Sequence, residues 1–333
     1  MKNLVDAIEK FSERKIAVIG DIILDRTERG RTSLRKNPEG LDAKIIWATE
    51  KFYLGGAGNV AKTITSSGAE CDIYGIIGDD VYGSRLKDMF SKEGIGIEGI
   101  FSNEFPTIVK ARIFVDGKYV HRSDLGEYDE EGNCILCPII QELQDETFEN
   151  LNSRINTYNA IIFSDYAKRV FSKEFTQRMI ALARQNNIPV VVDAKPKNIE
   201  YFEGCTLICP NEKEAEEMSG ISYNHDSQTL YKMSEEICEK IHPKYIVITC
   251  GENGAYVYNN GGSKMIPTRA EKVEEVTGAG DTFTALATLG LSSGLDVYDS
   301  SILANIASGI AVGKVGTYAV SKEELLEKTN QNF

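Results

Sequence analysis

The chain has 333 residues, 42% hydrophobic and 26% charged, proportions ordinary for a water-soluble globular protein. A net charge of −13 excludes a general nucleic-acid binder and a protein held on anionic membranes, so neither partner is expected. No run approaches the roughly 18 apolar residues needed to cross a bilayer, and the opening MKNLVDAIEKFSERK is amphipathic rather than signal-like.

Along the chain, strand-like runs alternate with helix-like ones. KIAVIGDIILD (15–25), CDIYGIIG (71–78), AIIFSDY (160–166), PVVVDA (189–194), TLICPN (206–211) and YIVITCG (245–251) are short and β-branched, and each is followed by turn signals. Amphipathic stretches such as 81–94 and 171–187 lie between them. Runs apolar on both faces predict a largely parallel sheet covered by helices on each side, an α/β fold. Two segments break the rhythm: 44–54 and 107–123 alternate apolar and polar residues, and Asp116-Gly117 signals a hairpin. They predict a small β lid, over about 29–54 and 105–124, on one domain spanning 1–333. A lid with open strand edges also predicts a homodimer.

The seven cysteines are odd in number and sit mostly in apolar runs, such as Cys209 and Cys250; they read as reduced thiols of a cytoplasmic protein. Cys134 and Cys137 have CxxC spacing but no second pair, which disfavours zinc, and the three histidines form no HExxH or HxxxH pair. SGIAVGKVG (308–316) is not a P-loop, because Gly309 and Gly313 are one residue too close and Val315 stands where Ser or Thr is required. GGAGNVAKTITSSG (55–68) is a glycine-rich turn entering a helix, but it does not fit GxGxxG. In EEVTGAGDTFTALA (274–287), Gly278 and Gly280 open a helix whose first N–H groups and dipole make an anion site, with Asp281 beside it. The plainer reading is a glycine turn with Asp281 as cap. Asn211 and Glu214 likewise read as a capping box or as a hydrated-magnesium site.

GDIILD, GGAGNVA, SDYAKR (164–169), PNEKE (210–214), VTGAGDTF (276–283) and VGKVGT (312–317), in this order from about residue 12 to 328, resemble the ribokinase-like, or PfkB, carbohydrate kinases. Within that family the chain most resembles the D-glycero-D-manno-heptose 7-phosphate kinases. The resemblance implies a three-layer α/β/α sandwich with a β lid. It also implies transfer of the γ-phosphoryl of ATP, with Mg²⁺, to the anomeric 1-hydroxyl of a heptose 7-phosphate, in the synthesis of ADP-heptose for bacterial surface lipopolysaccharide.

The resemblance also distributes roles. Asp281 would be the general base, with an ordinary carboxylate pKa already low enough for neutral pH. The amides of Gly278, Ala279 and Gly280 would stabilise charge on the phosphoryl group. Asn211 and Glu214 would organise magnesium through water, and Lys195 would meet ATP phosphate unless it is a solvated surface lysine. Thr249, Gly251 and Gly254 would wrap the nucleotide, with Asn305 and Ser308 near adenine or ribose. On the sugar side stand Asp25, Gly55, Gly56 and Asn59, with Asp165 and Lys168 completing the pocket. Lys110, Arg112 and Arg122 on the lid are candidates for a substrate phosphate, or charges that keep an exposed strand soluble.

Three departures qualify the resemblance. LRKNPEGLDAKI keeps only Pro38-Glu39 of the stretch usual after the first strand in the heptose kinases. Glu275 replaces an Asp that helps form a monovalent-cation site in many relatives, leaving that cation open. No HxGH of an appended nucleotidyltransferase occurs, so a kinase alone is expected. The alternatives are a fructokinase- or ribokinase-type enzyme for another sugar, and a sugar or nucleotide sensor without catalysis.

Overall fold

The structure is a computed structural model that describes residues 2–33, 45–128, 141–168, 170–259, 262–270, 272–274, 276–314 and 316–331. Pro38-Glu39, Cys134, Cys137, Glu275 and Val315 lie outside the described residues.

In chain order the strands are β1 (Lys15–Gly20), β2 (Ile22–Thr32), β3 (Ile45–Gly56), β4 (Glu70–Gly78), β5 (Gly96–Asn103), β6 (Val109–Val115) and β7 (Lys118–Leu125). They continue with β8 (Ala160–Asp165), β9 (Val190–Ala194), β10 (Leu207–Ile208), β11 (Tyr245–Thr249), β12 (Ala255–Asn259) and β13 (Gly262–Ile266). The main sheet runs β13-β12-β11-β10-β9-β8-β1-β4-β5. Its pairings are parallel from β5 through β11, and antiparallel only where β12 and β13 extend one edge. A second sheet, β3-β2-β6-β7, is the lid.

The two-residue period of a strand explains the layers. In β1, Ile16 and Val18 face one core while Ala17 and Ile19 face the other; in β8, Ala160 and Ile162 oppose Ile161 and Phe163. The first core is closed by α1 (Lys2–Glu9), α2 (Ala57–Ser66) and α3 (Val81–Lys92). The second is closed by α4 (Gln141–Arg154), α5 (Lys173–Gln185), α6 (Glu212–Ser219) and α7 (Ser227–Ile241). Three C-terminal helices, α8 (Ala279–Ser292), α9 (Val297–Val312) and α10 (Lys322–Gln331), complete the first face. Both faces are therefore covered, as apolar parallel strands require. The described cysteines are free thiols, and all but Cys238 are buried.

The sequence reads 15–25 as one strand, but the structure breaks it at Asp21. That residue donates its N–H to the Ser164 carbonyl (3.1 Å) and accepts the Ala57 N–H (3.0 Å), and the chain then leaves the main sheet to become lid strand β2. The lid thus begins at Ile22 rather than near 29. In the same way 206–211 yields only Leu207–Ile208 as strand, because Asn211 caps α6. The predicted hairpin is present: Asp116 (φ 50°) and Gly117 (φ 79°) are both left-handed, as a type I′ turn demands.

Candidate active site

The first turn of α8 meets the C-terminal ends of β8 and β9 and the start of α2. Gly278, at φ 82°, occupies the N-cap of α8, and a Cβ there would lie 2.8 Å from Asn59 Nδ2. That clearance lets Asn59 donate to Asp281 Oδ2 at 2.6 Å, while the Tyr166 hydroxyl donates to Oδ1 at 2.8 Å. Asp281 is only 6% exposed. Burial raises its pKa to about 6; the Asn59 and Tyr166 donors pull it down, nearby Asp25 pushes it up and Lys195 pulls it down again. Asp281 is therefore not the unperturbed aspartate expected from sequence. Asn59, expected at the sugar, has its amide on the carboxylate.

Of the three amides expected to face phosphate, Ala279 N–H is turned onto the Val276 carbonyl at 3.2 Å. Among the described residues no acceptor takes the N–H groups of Gly280 or Asp281, which belong to the open first turn. A Cβ on Gly280 would meet nothing within 4 Å, because this residue borders a cavity of about 510 Å³. Thr249, Gly251, Gly254, Asn305 and Ser308 line the same cavity, with Val273, Val276, Phe283 and Val312 as apolar walls. Asn305 Nδ2 is held by the Pro267 carbonyl (2.8 Å), and Ser308 Oγ by that of Ala279 (3.2 Å), so both fix the cavity wall.

Asn211 and Glu214 form a full capping box: Asn211 Oδ1 accepts Glu214 N–H, and Glu214 Oε2 accepts Asn211 N–H, each at 3.0 Å. Glu214 Oε1 also accepts from Lys195 Nζ at 2.5 Å. Burial opposes the charge on Lys195, but Glu214, Asp193 and Asp281 outweigh it and raise its pKa. Asp193, at the end of β9, is pushed up to about 8 by burial and by its neighbours Asp281 and Glu214. Among the described residues no three His, Cys, Asp or Glu side chains converge to cage a metal.

On the lid side, Asp25 Oδ1 accepts from Arg112 Nη1 at 2.6 Å, and a Cβ on Gly55 would lie 2.4 Å from Asp25 Oδ2, so glycine makes room for that carboxylate. Gly56, at the end of β3, is buried where the chain enters α2. Arg122 is engaged in two 2.7 Å bonds with Asp124, and Lys168 with the buried Glu127. Lys110 differs. No carboxylate among the described residues lies within ion-pair distance of it, and its pKa is lowered by burial and by Lys168 nearby. Asp165 is buried, its oxygens engaged by Ala167 N–H (2.7 Å) and Asn198 Nδ2 (2.9 Å).

Two side chains at the candidate site escaped the sequence reading. The ammonium groups of Lys110 and Lys195 each lie 5.4 Å from the Tyr166 ring centroid, while the Tyr166 hydroxyl reaches Asp281. The only signal was its place within SDYAKR. Asp193 was legible only as an acidic residue at the carboxyl end of a parallel strand, where ligands of open α/β sheets collect.

A cavity large enough for a nucleotide lies beside an open helix N-terminus and a buried carboxylate, features that suit phosphoryl transfer on an α/β sandwich. The chain belongs to the pfkB family of carbohydrate kinases, whose model matches residues 13–324. It is 35% identical over 327 residues to the bifunctional protein HldE of Syntrophotalea carbinolica, covering 98% of this chain and 65% of the relative. It is 35% identical over 311 residues to bifunctional protein HldE of Geobacter sulfurreducens, covering 93% and 61%. The chain thus spans less than two thirds of the length of these curated relatives. Arabidopsis thaliana ribokinase complexed with ribose and ATP superposes with a TM-score of 0.74 at 19% identity, covering 95% of this chain and 98% of that one. Phosphofructokinase-2 from Escherichia coli, in complex with potassium, gives 0.76 at 18% identity, covering 96% and 99%. The ribokinase-like sandwich with its lid is therefore the fold.

Proposed function

We propose that the chain transfers the γ-phosphoryl group of ATP to the anomeric 1-hydroxyl of D-glycero-D-manno-heptose 7-phosphate, as the resemblance implies. The observation that carries the substrate class is Lys110: a half-buried cation on the lid, near Lys168, with no carboxylate within ion-pair distance among the described residues. Such a group suits a sugar that brings its own phosphate. The relatives named bifunctional protein HldE agree with this choice.

In the reaction the sugar hydroxyl oxygen bonds to the γ-phosphorus, the bond from that phosphorus to the bridging oxygen breaks, and ADP leaves. The hydroxyl proton passes to Asp281, which Asn59 and Tyr166 hold in place. The Gly280 and Asp281 amides at the open end of α8 are aimed to receive negative charge from the phosphoryl oxygens. Lys195 and the about 510 Å³ cavity would take the rest of the nucleotide. Asp25 with Arg112 would orient sugar hydroxyls.

The residues present fit magnesium held through water. Asp193, Glu214 and Asp281 crowd negative charge that a cation would relieve. Asn211 and Glu214 would hold it through water, with Asp193 close by; once bound it would neutralise charge on ATP. A homodimer through the lid belongs to the same proposal: Ile46 (55% exposed) and Trp47 (48% exposed) on edge strand β3 offer apolar surface to a second copy.

The test is turnover of a sugar panel, each sugar with and without its terminal phosphate, by wild type and Lys110→Met. The expected result is preference for heptose 7-phosphate, with the variant losing about 10- to 100-fold in kcat/KM on the phosphorylated sugar alone, as removal of one charge-assisted contact implies. Equal use of unphosphorylated fructose or ribose would reassign the substrate.

A further inference from the structure

One turn of the chain serves both ends of the site. Tyr166 touches the base and Lys168 stands beside the lid lysine; between them Ala167 has φ 59°, a left-handed conformation that a residue with a side chain resists. Three successive N–H groups of this turn are captured by carboxylates. Asp21 Oδ2 accepts Tyr166 N–H at 2.7 Å and Lys168 N–H at 3.0 Å, and Asp165 Oδ1 accepts Ala167 N–H at 2.7 Å. Consecutive N–H groups in such a conformation form a concave anion site, and here the protein fills it with its own carboxylates.

We infer that Asp21, which stands outside the reacting groups, is a positioning residue: its carboxylate sets the 166–168 turn, and through it the Tyr166 hydroxyl on Asp281 and the Lys168 ammonium beside Lys110. This inference rests on the proposed kinase reading for its consequences, but not for its geometry. Asp21 is 1% exposed, and its own backbone ties β1 to Ser164 and to the first residue of α2. The one residue therefore touches the elements that carry Tyr166, Lys168 and Asn59. Burial and the nearby Asp165 push the Asp21 pKa up to about 7 against the pull of the Lys168, Tyr166 and Val170 N–H groups, and in either protonation state Oδ2 is an acceptor on which two N–H donors converge. Only Oδ2 is used, and Oδ1 has no partner among the described residues. An asparagine oxygen in the same place would keep the grip, and a methyl group would not.

The experiment compares Asp21→Asn, Asp21→Ala, Tyr166→Phe and the Asp21→Ala/Tyr166→Phe double variant, with thermal melts to establish folding. Asp21→Ala is expected to lower kcat about 100-fold, the scale of a misplacement of about 1 Å. It should also raise KM for the sugar phosphate while leaving KM for ATP unchanged; Asp21→Asn should keep most of the activity. The double variant should lose little beyond Asp21→Ala, because both act through the same hydroxyl. Losses that multiply, or KM values for ATP and sugar that rise together, would overturn the inference. Asp21→Ser, polar but too short to reach, replaces alanine if alanine does not fold. A crystal structure of the alanine or serine protein reads the same point without turnover, and an intact Tyr166–Asp281 hydrogen bond there would overturn it. A wild type inactive on sugar phosphates would instead sink the substrate reading and leave this structural comparison standing.

Discussion

A general base works best when its pKa lies near the working pH, and burial brings Asp281 to about 6. It is then mostly ionised at pH 7 and more basic than an exposed aspartate. The kcat/KM profile should therefore fall on the acid side below about pH 6. The Tyr166 donor favours the ionised form, so Tyr166→Phe should move that limb to higher pH, as initial rates across pH 5 to 9 would reveal. A limb that stays in place would mean Tyr166 does not tune the base. The place of Asp281 in the first turn of a helix was legible because GAGD opens an apolar run. Its tuning was not, since Asn59 and Tyr166 lie 222 and 115 residues away in sequence.

At the scale of elements, periodicity revealed the layers and the Asp116-Gly117 turn, because both depend on local alternation. It could not reveal that Asp21 divides one apolar run between two sheets, for that break is made by contacts to Ser164 and Ala57. Nor could it choose between cap and metal at Asn211 and Glu214. The box is formed, and its Glu214 also faces Lys195, so one carboxylate can serve the helix and the site together. The lid sheet ends in β3 and β7, and the exposed Ile46 and Trp47 lie on the first of these edges. Sedimentation of the wild type should give about twice the 36.9 kDa chain mass, and Trp47→Glu should give the monomer. A monomeric wild type would contradict lid-mediated pairing.

For the whole molecule, the site costs stability. Folded Asp281 holds its proton up to about pH 6, whereas an unfolded aspartate releases it near about 3.9. The native state thus binds more protons than the unfolded chain between those values, and stability falls as pH rises through that window. The roughly two-unit difference corresponds to about 3 kcal/mol. Asp281→Asn carries no such charge and should be more stable than wild type above pH 6, by up to about that amount, with the gap closing near pH 4. Denaturant melts at pH 4 and pH 8 check this; equal gaps at both would contradict the buried-carboxylate account.

The most direct measurement is phosphorus NMR of heptose 7-phosphate incubated with magnesium and ATP, using wild type and Asp281→Asn. The account predicts a second sugar phosphomonoester on the anomeric carbon, formed as ATP becomes ADP, and loss of at least about 1,000-fold in rate in the variant, the combined scale of a lost base and lost orientation. No anomeric phosphate from the wild type, or an asparagine variant that works as well, would contradict it.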